Sequence, residues 1–250
     1  MAKSTWSDLF TKHQQLLNEA VEALSSRQFF SPYPEHPKAY DAELDAAGKE
    51  AFGRLLNKNF TALNQPAEHW IGEEVSPFWQ MGLGVQYPSQ SAEAYVSNAQ
   101  KAFKIWRNTT IETRVGILIE SLERVRARFF ELGYANMHTS GQTFLMSFQA
   151  SGPHAADRAL EAVTMGYKEL SRYPNRLRFS KPLGKFNLEV TKEWLPVSKG
   201  VGLVIGCSTF PTWNTVPGVY ANLVCGNTVI IKPHPKSILP IAIFTAELRK

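Results

Sequence analysis

The stretch between Lys199 and Arg249 constrains the fold of this chain most strongly, because short β-branched runs alternate there with helical spans. Two runs, 201–205 and 228–231, are bounded by glycine and proline, and this pattern predicts two strands joined by a helix. Neither run alternates with polar residues, so both strands are expected to be buried on both faces of a parallel sheet. Pro217 is expected in the first turn of the connecting helix, and Gly226 at its left-handed end.

Two parallel strands joined by a right-handed crossover have their carboxyl ends at the same edge of the sheet. Loop 206–211 and Lys232 are therefore expected to meet at that edge, where open α/β sheets bind their ligands. A helix that opens after Ser237 is expected to aim free N–H groups at an anion. Lys232 is thus a candidate nucleotide contact, and the alternative is a solvated lysine that merely follows a strand.

The clearest helix in the chain is predicted after a capping box, Thr109-x-x-Glu112. Its apolar positions recur every three or four residues and form one stripe: Val115, Leu118, Ile119, Leu122, Val125 and Phe129. Gly133 is expected to end this helix. Three arginines, at positions 124, 126 and 128, are expected to lie on a solvated face.

The composition excludes several classes of protein. Hydrophobic residues make up 44% of the 250 residues and charged residues 20%, which is typical of a globular chain with a core. The net charge of +5 favours polyphosphate ligands, but no nucleic-acid-binding motif accompanies it, so no nucleic-acid partner is expected. No apolar stretch has the length of a membrane span, and a chain with two cysteines fits a reducing cytoplasm. Neither His138 nor His154 has a neighbour at metal-ligand spacing, so no metal is expected.

Several motifs resemble those of the aldehyde dehydrogenase superfamily, in the same order and at the same spacing. Phe210-Pro211, Gly226-Asn227 and Lys232-Pro233 are similar to its Pro-Trp-Asn-Phe-Pro loop, its Gly-Asn turn and its Lys-Pro-Ser-Glu loop. Segment 99–142 resembles its Ala-x-x-Ala-Phe-x-x-Trp helix and the long helix before Glu-Thr-Gly-Lys. The resemblance covers residues 70–250. It implies an α/β fold with N-terminal helices, a β-hairpin and the start of an incomplete parallel Rossmann-like βαβα sheet.

The resemblance assigns the loop after the first parallel strand to the nicotinamide side of a bound NADP or NAD. The residues at the superfamily's cofactor-loop positions are Ile205, Gly206, Cys207 and Ser208. Thr209 stands where the superfamily usually has an asparagine that donates to the oxyanion. Such an amide donor is worth about a hundredfold to a thousandfold in rate, so the hydroxyl of Thr209 is expected to be a weaker substitute.

The loop after the second parallel strand is expected to set the choice of cofactor. The resemblance implies that Lys232 contacts the adenosine ribose, and His234 and Pro235 replace the superfamily's serine and glutamate. An acid at this place favours a ribose 2′-hydroxyl, whereas cations such as Lys232 and Lys236 favour a 2′-phosphate. NADP is therefore expected to be tolerated or preferred over NAD; the alternative is that both bind alike.

In the superfamily, the nucleophilic cysteine, the general-base glutamate and a second glycine motif lie further along the chain than residue 250. Neither Cys207 nor Cys225 stands at the nucleophile's position. The chain is therefore interpreted as the cofactor-binding N-terminal half of an NAD(P)-dependent aldehyde dehydrogenase, with the catalytic domain absent and no activity by itself. The alternative is a non-catalytic nucleotide-binding or oligomer-forming module.

The predicted organisation begins with a helical extension, residues 1–69, that packs on the body. It contains helices near 7–25, with Ser7 as N-cap, and near 40–57. Residues 70–175 and 197–250 are expected to form the first part of the NAD(P)-binding domain.

Between these parts, residues 176–196 predict a hairpin around Pro182-Leu183-Gly184. Its position resembles that of the superfamily's oligomerisation hairpin. An unpaired strand edge also favours association, so a homo-oligomer is expected.

Three segments, at 33–37, 148–158 and 207–214, are similar to those of superfamily members that act in phenylacetic acid degradation. This narrower resemblance implies oxidation of a ring-opened aldehyde to an acid. The expected substrate is a small-molecule aldehyde, or a semialdehyde that is a coenzyme A thioester.

Overall fold

The computed structural model describes residues 6–250 of the chain. Its helices are α1 (Trp6–Ser26), α2 (Glu43–Leu55), α3 (Ala92–Trp106), α4 (Ile111–Arg126), α5 (Phe129–Ser140), α6 (Phe144–Ser151), α7 (Pro153–Leu170), α8 (Pro211–Val224) and α9 (Leu239–Leu248). Its strands are β1 (His69–Ile71), β2 (Val75–Ser76), β3 (Met81–Gly82), β4 (Tyr87–Ser89), β5 (Arg176–Leu183), β6 (Phe186–Glu193), β7 (Val201–Ile205) and β8 (Thr228–Lys232). β1 pairs with β4, β2 with β3 and β5 with β6, all antiparallel, while β7 and β8 are parallel. The predicted α/β fold is confirmed.

The core is built around α4, whose predicted apolar stripe is fully buried from Val115 to Val125. Helices α1, α7, α8 and α9 pack against it. Lys12 and His13 of α1 both reach Glu120 of α4, each at 2.6 Å. Tyr33, from the proline-rich segment that follows α1, is buried edge-on against the ring of Phe129. The N-terminal residues are thus bound to the body by apolar burial and by ion pairs. The prediction of Ser7 as N-cap is wrong, because Ser7 lies within α1, which already includes Trp6.

The prediction for the start and end of α4 is wrong. Its N-cap is Thr110, whose Oγ1 accepts from the N–H of Thr113 at 3.2 Å, one residue later than the capping box predicts. The helix ends at Arg126, and α5 continues through Gly133. Gly133 allows close packing instead of ending a helix, because a Cβ there would lie 3.2 Å from Cα of Phe148.

The sequence predicted that the three arginines near the junction of α4 and α5 lie on a solvated face. This prediction is wrong for two of them. Arg128 is half-buried and forms ion pairs with Glu131 and with Glu247 of α9, each at 2.7 Å. Arg124 donates to the carbonyl of Glu247 at 3.2 Å. These two residues therefore tie α9 to the core, while Arg126 is 47% exposed.

Helix α8 starts earlier than predicted, at Pro211, so Pro217 lies inside the helix and not in its first turn. The missing N–H of Pro211 is not needed at a first helical position. Pro217 leaves the carbonyl four residues before it without its helical donor. Gly226, with φ of 77°, provides the left-handed end as predicted.

Strands β7 and β8 pair in register from Val201 opposite Thr228 to Ile205 opposite Lys232. The expected burial on both faces is wrong for β7, because Leu203 and Ile205 are 63% and 67% exposed. It is also wrong for β8, of which only Thr228 is buried. Helix α8 packs against the side of β7 that carries Val204. No other described strand pairs with β7 or β8, so the outer edge of each strand is unpaired among residues 6–250.

Strands β5 and β6 form the predicted hairpin, paired from Arg176 opposite Glu193 to Leu183 opposite Phe186. Gly184, with φ of 63°, makes the turn. Every residue of both strands is exposed. Its role in oligomerisation stays a prediction. Within residues 6–250, none of the helices combines the length and apolar character that crossing a membrane requires.

Candidate functional site

The candidate site lies at the carboxyl ends of β7 and β8. The N–H of Gly206 donates to the carbonyl of Lys232 at 2.9 Å, which continues the ladder by one residue past Ile205. Loop 206–211 and Lys232 therefore meet, as the topology predicted. The ammonium group of Lys232 is exposed and has no ion pair with any residue from 6 to 250.

Gly206 brings the loop directly against the first turns of α8. A Cβ at Gly206 would lie 2.8 Å from Oγ1 of Thr215, so a larger residue would push the loop away from the helix. The hydroxyl of Thr215 is buried and has no hydrogen-bond partner among the described residues. The close approach fixes the position of the next residue, Cys207.

The thiol of Cys207 lies at the N-terminus of α8 and is half-buried. Its Sγ accepts from Nδ2 of Asn214 at 3.4 Å. Burial by itself would raise the pKa of this thiol, but the amide of Asn214 and the backbone N–H groups of Phe210 and Thr209 lower the pKa below its ordinary value. The sequence analysis assigned no role to Asn214. Its place in the first turns of a helix that follows the cysteine could have indicated a contact with the thiol.

Backbone carbonyls hold the rest of the loop in place. The carbonyl of Ser208 accepts from Oγ of Ser237 at 3.3 Å, and the carbonyl of Thr209 accepts from Nε2 of Gln142 at 3.0 Å. The side chain of Thr209 is exposed and forms no hydrogen bond with a described residue. Its hydroxyl is therefore free to donate to a ligand. The sequence gave no indication that Gln142, at the end of the α5 region, supports this loop.

The predicted anion site at the start of α9 is wrong, because a carboxylate of the chain already fills it. Oε1 of Glu74 accepts from the N–H groups of Ile238 and Leu239 at 2.6 and 2.9 Å. The hydroxyl of Tyr87 donates to Oε2 of Glu74. Burial raises the pKa of Glu74, and these three hydrogen bonds oppose the rise. Any phosphate at this edge must therefore find its donors elsewhere.

The loop after β8 places His234 and Pro235 beside Lys232. Nδ1 of His234 accepts from the backbone N–H of Lys236 at 3.2 Å. The proton of a neutral His234 is therefore on Nε2, which is free to donate. The loop from 232 to 236 contains no acidic residue. It presents only hydrogen-bond donors and positive charge from its side chains.

An aromatic cluster adjoins the loop on the α7 side. The ring of Trp213 lies 5.4 Å from that of Phe210 and 5.3 Å from that of His154. Nε2 of His154 pairs with Oε1 of Glu35 at 3.0 Å. The structure thus brings together the three segments 33–37, 148–158 and 207–214 that carry the narrower resemblance. Among residues 6–250, no group of three or more histidines, cysteines or acids has an arrangement that could hold a metal ion.

Asp157 lies one helical turn from His154 and is a second carboxylate of this cluster. Oγ of Ser31 donates to its Oδ2, while its Oδ1 is buried without a partner among the described residues. Burial raises the pKa of Asp157 from 3.8 to about 6, and the Ser31 hydrogen bond opposes the rise.

Replacing Asp157 with asparagine is expected to stabilise the protein at pH 8 and to leave its stability unchanged at pH 3. The native carboxyl binds a proton more tightly than the unfolded one, so stability falls as the pH rises from 3.8 to about 6. At pH 8 the ionised Asp157 therefore lowers the free energy of unfolding by at most about 3 kcal/mol. Urea unfolding between pH 3 and pH 8 measures this difference, with the exposed Asp41→Asn as the matched control. A variant that keeps the wild-type pH dependence would contradict the assignment.

Comparison with known proteins decides the family. The model of the aldehyde dehydrogenase family matches residues 82–250, which is most of the chain. The chain belongs to the aldehyde dehydrogenase family. A solved NAD-dependent aldehyde dehydrogenase from Burkholderia multivorans superposes with a TM-score of 0.91 and 44% identity, over 96% of this chain and 44% of that one.

Curated relatives of this aldehyde dehydrogenase chain are named 1-pyrroline-5-carboxylate dehydrogenase. The protein from Bacillus licheniformis is 25% identical over 89% of this chain and 39% of its own length. The protein from Geobacillus sp. is 31% identical over 57% of this chain and 26% of its own length. The chain thus spans less than half the length of these curated relatives. A solved Thermus thermophilus enzyme of the same name, 19% identical with a TM-score of 0.63, shares the fold.

Proposed function

We propose that this chain forms the cofactor-binding part of an aldehyde dehydrogenase that uses NADP or NAD to oxidise an aldehyde to an acid. The observation that carries the proposal is the meeting of loop 206–211 with Lys232 at the carboxyl edge of β7 and β8. The first turn of α8 at this edge has no side-chain cap and begins with a proline, so the N–H groups of Thr212 and Trp213 are the ones available to a ligand among the described residues of this turn. A non-catalytic nucleotide-binding module is the second candidate, and it would bind cofactor without turnover.

The residues at this edge fit a dinucleotide. Gly206 leaves no side chain between the loop and α8, and Lys232 offers an uncompensated positive charge. When bound, NAD(P) accepts a hydride from the substrate carbon. In our proposal Ile205, Gly206, Cys207 and Ser208 support the nicotinamide side, and Thr209 donates its hydroxyl to the substrate oxygen.

NADP is the preferred cofactor in this proposal. The loop after β8 offers a 2′-phosphate two cations, Lys232 and Lys236, and one donor, the Nε2–H of His234. Pro235 occupies the place of the acid that would repel a 2′-phosphate. The Burkholderia multivorans relative is named as NAD-dependent. The alternative therefore remains that both cofactors bind alike.

The aromatic cluster supports an aldehyde whose reacting end is uncharged, as in the ring-opened aldehydes and coenzyme A thioester semialdehydes of phenylacetate degradation. Phe210 and Trp213 are half-exposed next to Thr209 and can contact a flat, unsaturated substrate. Glu35 and Asp157 place carboxylates behind them, which disfavours a substrate that carries its own carboxylate near the aldehyde. Oxidation of 1-pyrroline-5-carboxylate, after which the curated relatives are named, is the competing proposal.

In the full-length protein, Trp213→Ala is expected to lower kcat/KM for cinnamaldehyde, a neutral unsaturated aldehyde, by about tenfold, because an aromatic contact worth about 1 kcal/mol and its apolar burial are lost. Steady-state NADPH formation measures the effect, and Phe29→Ala, which removes an aromatic ring that is 87% exposed, serves as control. A wild-type preference for 1-pyrroline-5-carboxylate over neutral aldehydes would contradict the substrate class. Absence of all turnover in the presence of bound cofactor would favour the non-catalytic module.

The proposal also includes a homo-oligomer, with the exposed hairpin of β5 and β6 as a contact surface. Apolar side chains of the hairpin, such as Phe186 at 65% exposure, would be covered by such a contact. Cys207 and Cys225 are both free thiols in the structure. A cytoplasmic site of action is therefore part of the proposal.

A further inference from the structure

A cleft of about 400 Å³ lies between α2, the turn that joins β2 to β3, and α5. Its size is within the range of small-molecule sites, about 300–1,000 Å³. The side chains that define its chemistry are Lys49, Phe52, Phe78, Trp79, Tyr134 and His138. None of them belongs to the candidate cofactor site. The cleft combines aromatic walls with a small number of polar groups, which is the usual chemistry of a ligand pocket.

His138 is only 4% exposed, and two aromatic rings pack against its imidazole. Phe52 stacks on it with centroids 5.0 Å apart and an interplanar angle of 5°, and the centroid of Trp79 lies 3.8 Å away. Its Nδ1 bonds with Oγ of Ser76 at 2.8 Å. Nε2 makes no hydrogen bond with any described residue. The imidazole therefore has one polar atom left for a ligand.

The hydrogen bonds around Ser76 indicate which ring nitrogen carries the proton. The N–H of Trp79 donates to Oγ of Ser76 at 3.2 Å, so this oxygen already acts as an acceptor. Its own hydrogen is then available to Nδ1 of His138, and in this arrangement the imidazole proton is on Nε2. Burial, together with the charge of Lys49, lowers the pKa of His138. A neutral His138 thus presents an N–H donor to the cleft.

Among the other polar groups of the cleft, Lys49 favours an anion. Lys49 is exposed and has no ion pair with any residue from 6 to 250. The hydroxyl of Tyr134 donates to Oδ1 of Asp45 at 2.7 Å, so both groups are engaged with each other. Phe78 and Trp79 remain 52% and 45% exposed and offer ring faces to a ligand.

We propose that this cleft is a binding site for a small aromatic carboxylate. The ring of the ligand packs against Phe78 and Trp79, and its two carboxylate oxygens accept from Nζ of Lys49 and Nε2 of His138. Aromatic pairs supply specific contact energy, and a carboxylate suits a cleft that is lined by two donors, one of them charged. Aromatic cages also bind quaternary ammonium ions, but the positive charge of Lys49 opposes such a ligand.

Calorimetric titration of the protein with benzoate tests this proposal, and the carboxylate-induced shift of the His138 imidazole resonance in NMR locates the site. Benzoate is expected to bind saturably. Three control compounds are expected to bind at least about tenfold more weakly: cyclohexanecarboxylate, which lacks the aromatic ring, benzamide, which lacks the charge, and choline, which is a cation. Lys49→Gln is expected to raise the Kd of benzoate about tenfold. The matched variant Lys58→Gln, at an exposed lysine that follows α2, is expected to leave the Kd unchanged.

Four outcomes would overturn the proposal. They are the absence of saturable benzoate binding, equal binding of benzamide, tighter binding of choline, and a Lys49→Gln variant with wild-type affinity. Trp79→Leu provides a second variant on the exposed side of the cleft, and unaltered benzoate affinity in it would also contradict the proposed ring contact. Because none of these residues touches the cofactor edge, the result is independent of the proposed dehydrogenase function.

Discussion

Replacing Glu74 with alanine is expected to lower the free energy of unfolding by about 3–5 kcal/mol. The change removes the acceptor for the N–H groups of Ile238 and Leu239 and for the hydroxyl of Tyr87. Because Glu74 is 4% exposed, water cannot replace the lost acceptor without opening the structure. Equilibrium urea unfolding followed by circular dichroism measures the loss.

Two variants make this result specific to the buried carboxylate. Glu73→Ala removes an exposed neighbouring acid and is expected to change stability by no more than about 0.5 kcal/mol. Glu74→Gln keeps one acceptor oxygen, so its loss is expected to lie between the other two. If Glu74→Ala unfolded at the same urea concentration as Glu73→Ala, the carboxylate would not hold the start of α9.

Replacing Lys232 with alanine is expected to weaken NADP binding to the full-length protein about tenfold or more, because a charged hydrogen bond is worth about 1.5–3 kcal/mol. NAD, which lacks the 2′-phosphate, is expected to lose less affinity. Calorimetric titration with each cofactor gives both values. Lys199→Ala is the matched control, since it removes an equal charge from the amino-terminal edge of the same sheet. Tighter binding of NAD than of NADP by the wild-type protein, or NADP binding indifferent to Lys232, would contradict the proposed cofactor choice.

Local patterns predicted the features that depend on neighbours along the chain. The apolar stripe of α4, the hairpin at 176–196 and the strands β7 and β8 follow from periodicity and from turn residues, and all are present. The meeting of loop 206–211 with Lys232 follows from the handedness of the crossover. The prediction that Pro217 lies in the first turn of α8 was wrong, because proline also occurs inside a helix when the structure tolerates the missing backbone hydrogen bond.

Features that join distant segments could not be predicted in this way. Glu74 lies 164 residues before Ile238, and no local pattern marks it as the cap of α9. The pairing of His154 with Glu35 likewise depends on how the proline-rich segment crosses α7. Gly133 was misassigned because a glycine that permits close helix packing has the same local appearance as one that ends a helix. Such contacts become visible only when the tertiary structure is known.

The central claim is that a dinucleotide binds over loop 206–211, and the alkylation rate of Cys207 in the full-length protein tests it most directly. Hydrogen bonds lower the pKa of Cys207 despite its partial burial, whereas burial raises the pKa of Cys225 despite the nearby Arg114. Iodoacetamide is therefore expected to label Cys207 faster than Cys225, as read by mass spectrometry of the two peptides. Saturating NADP is expected to slow labelling of Cys207 and to leave Cys225 unchanged. Labelling of Cys207 at the same rate with and without a cofactor that calorimetry shows to be bound would contradict the claim.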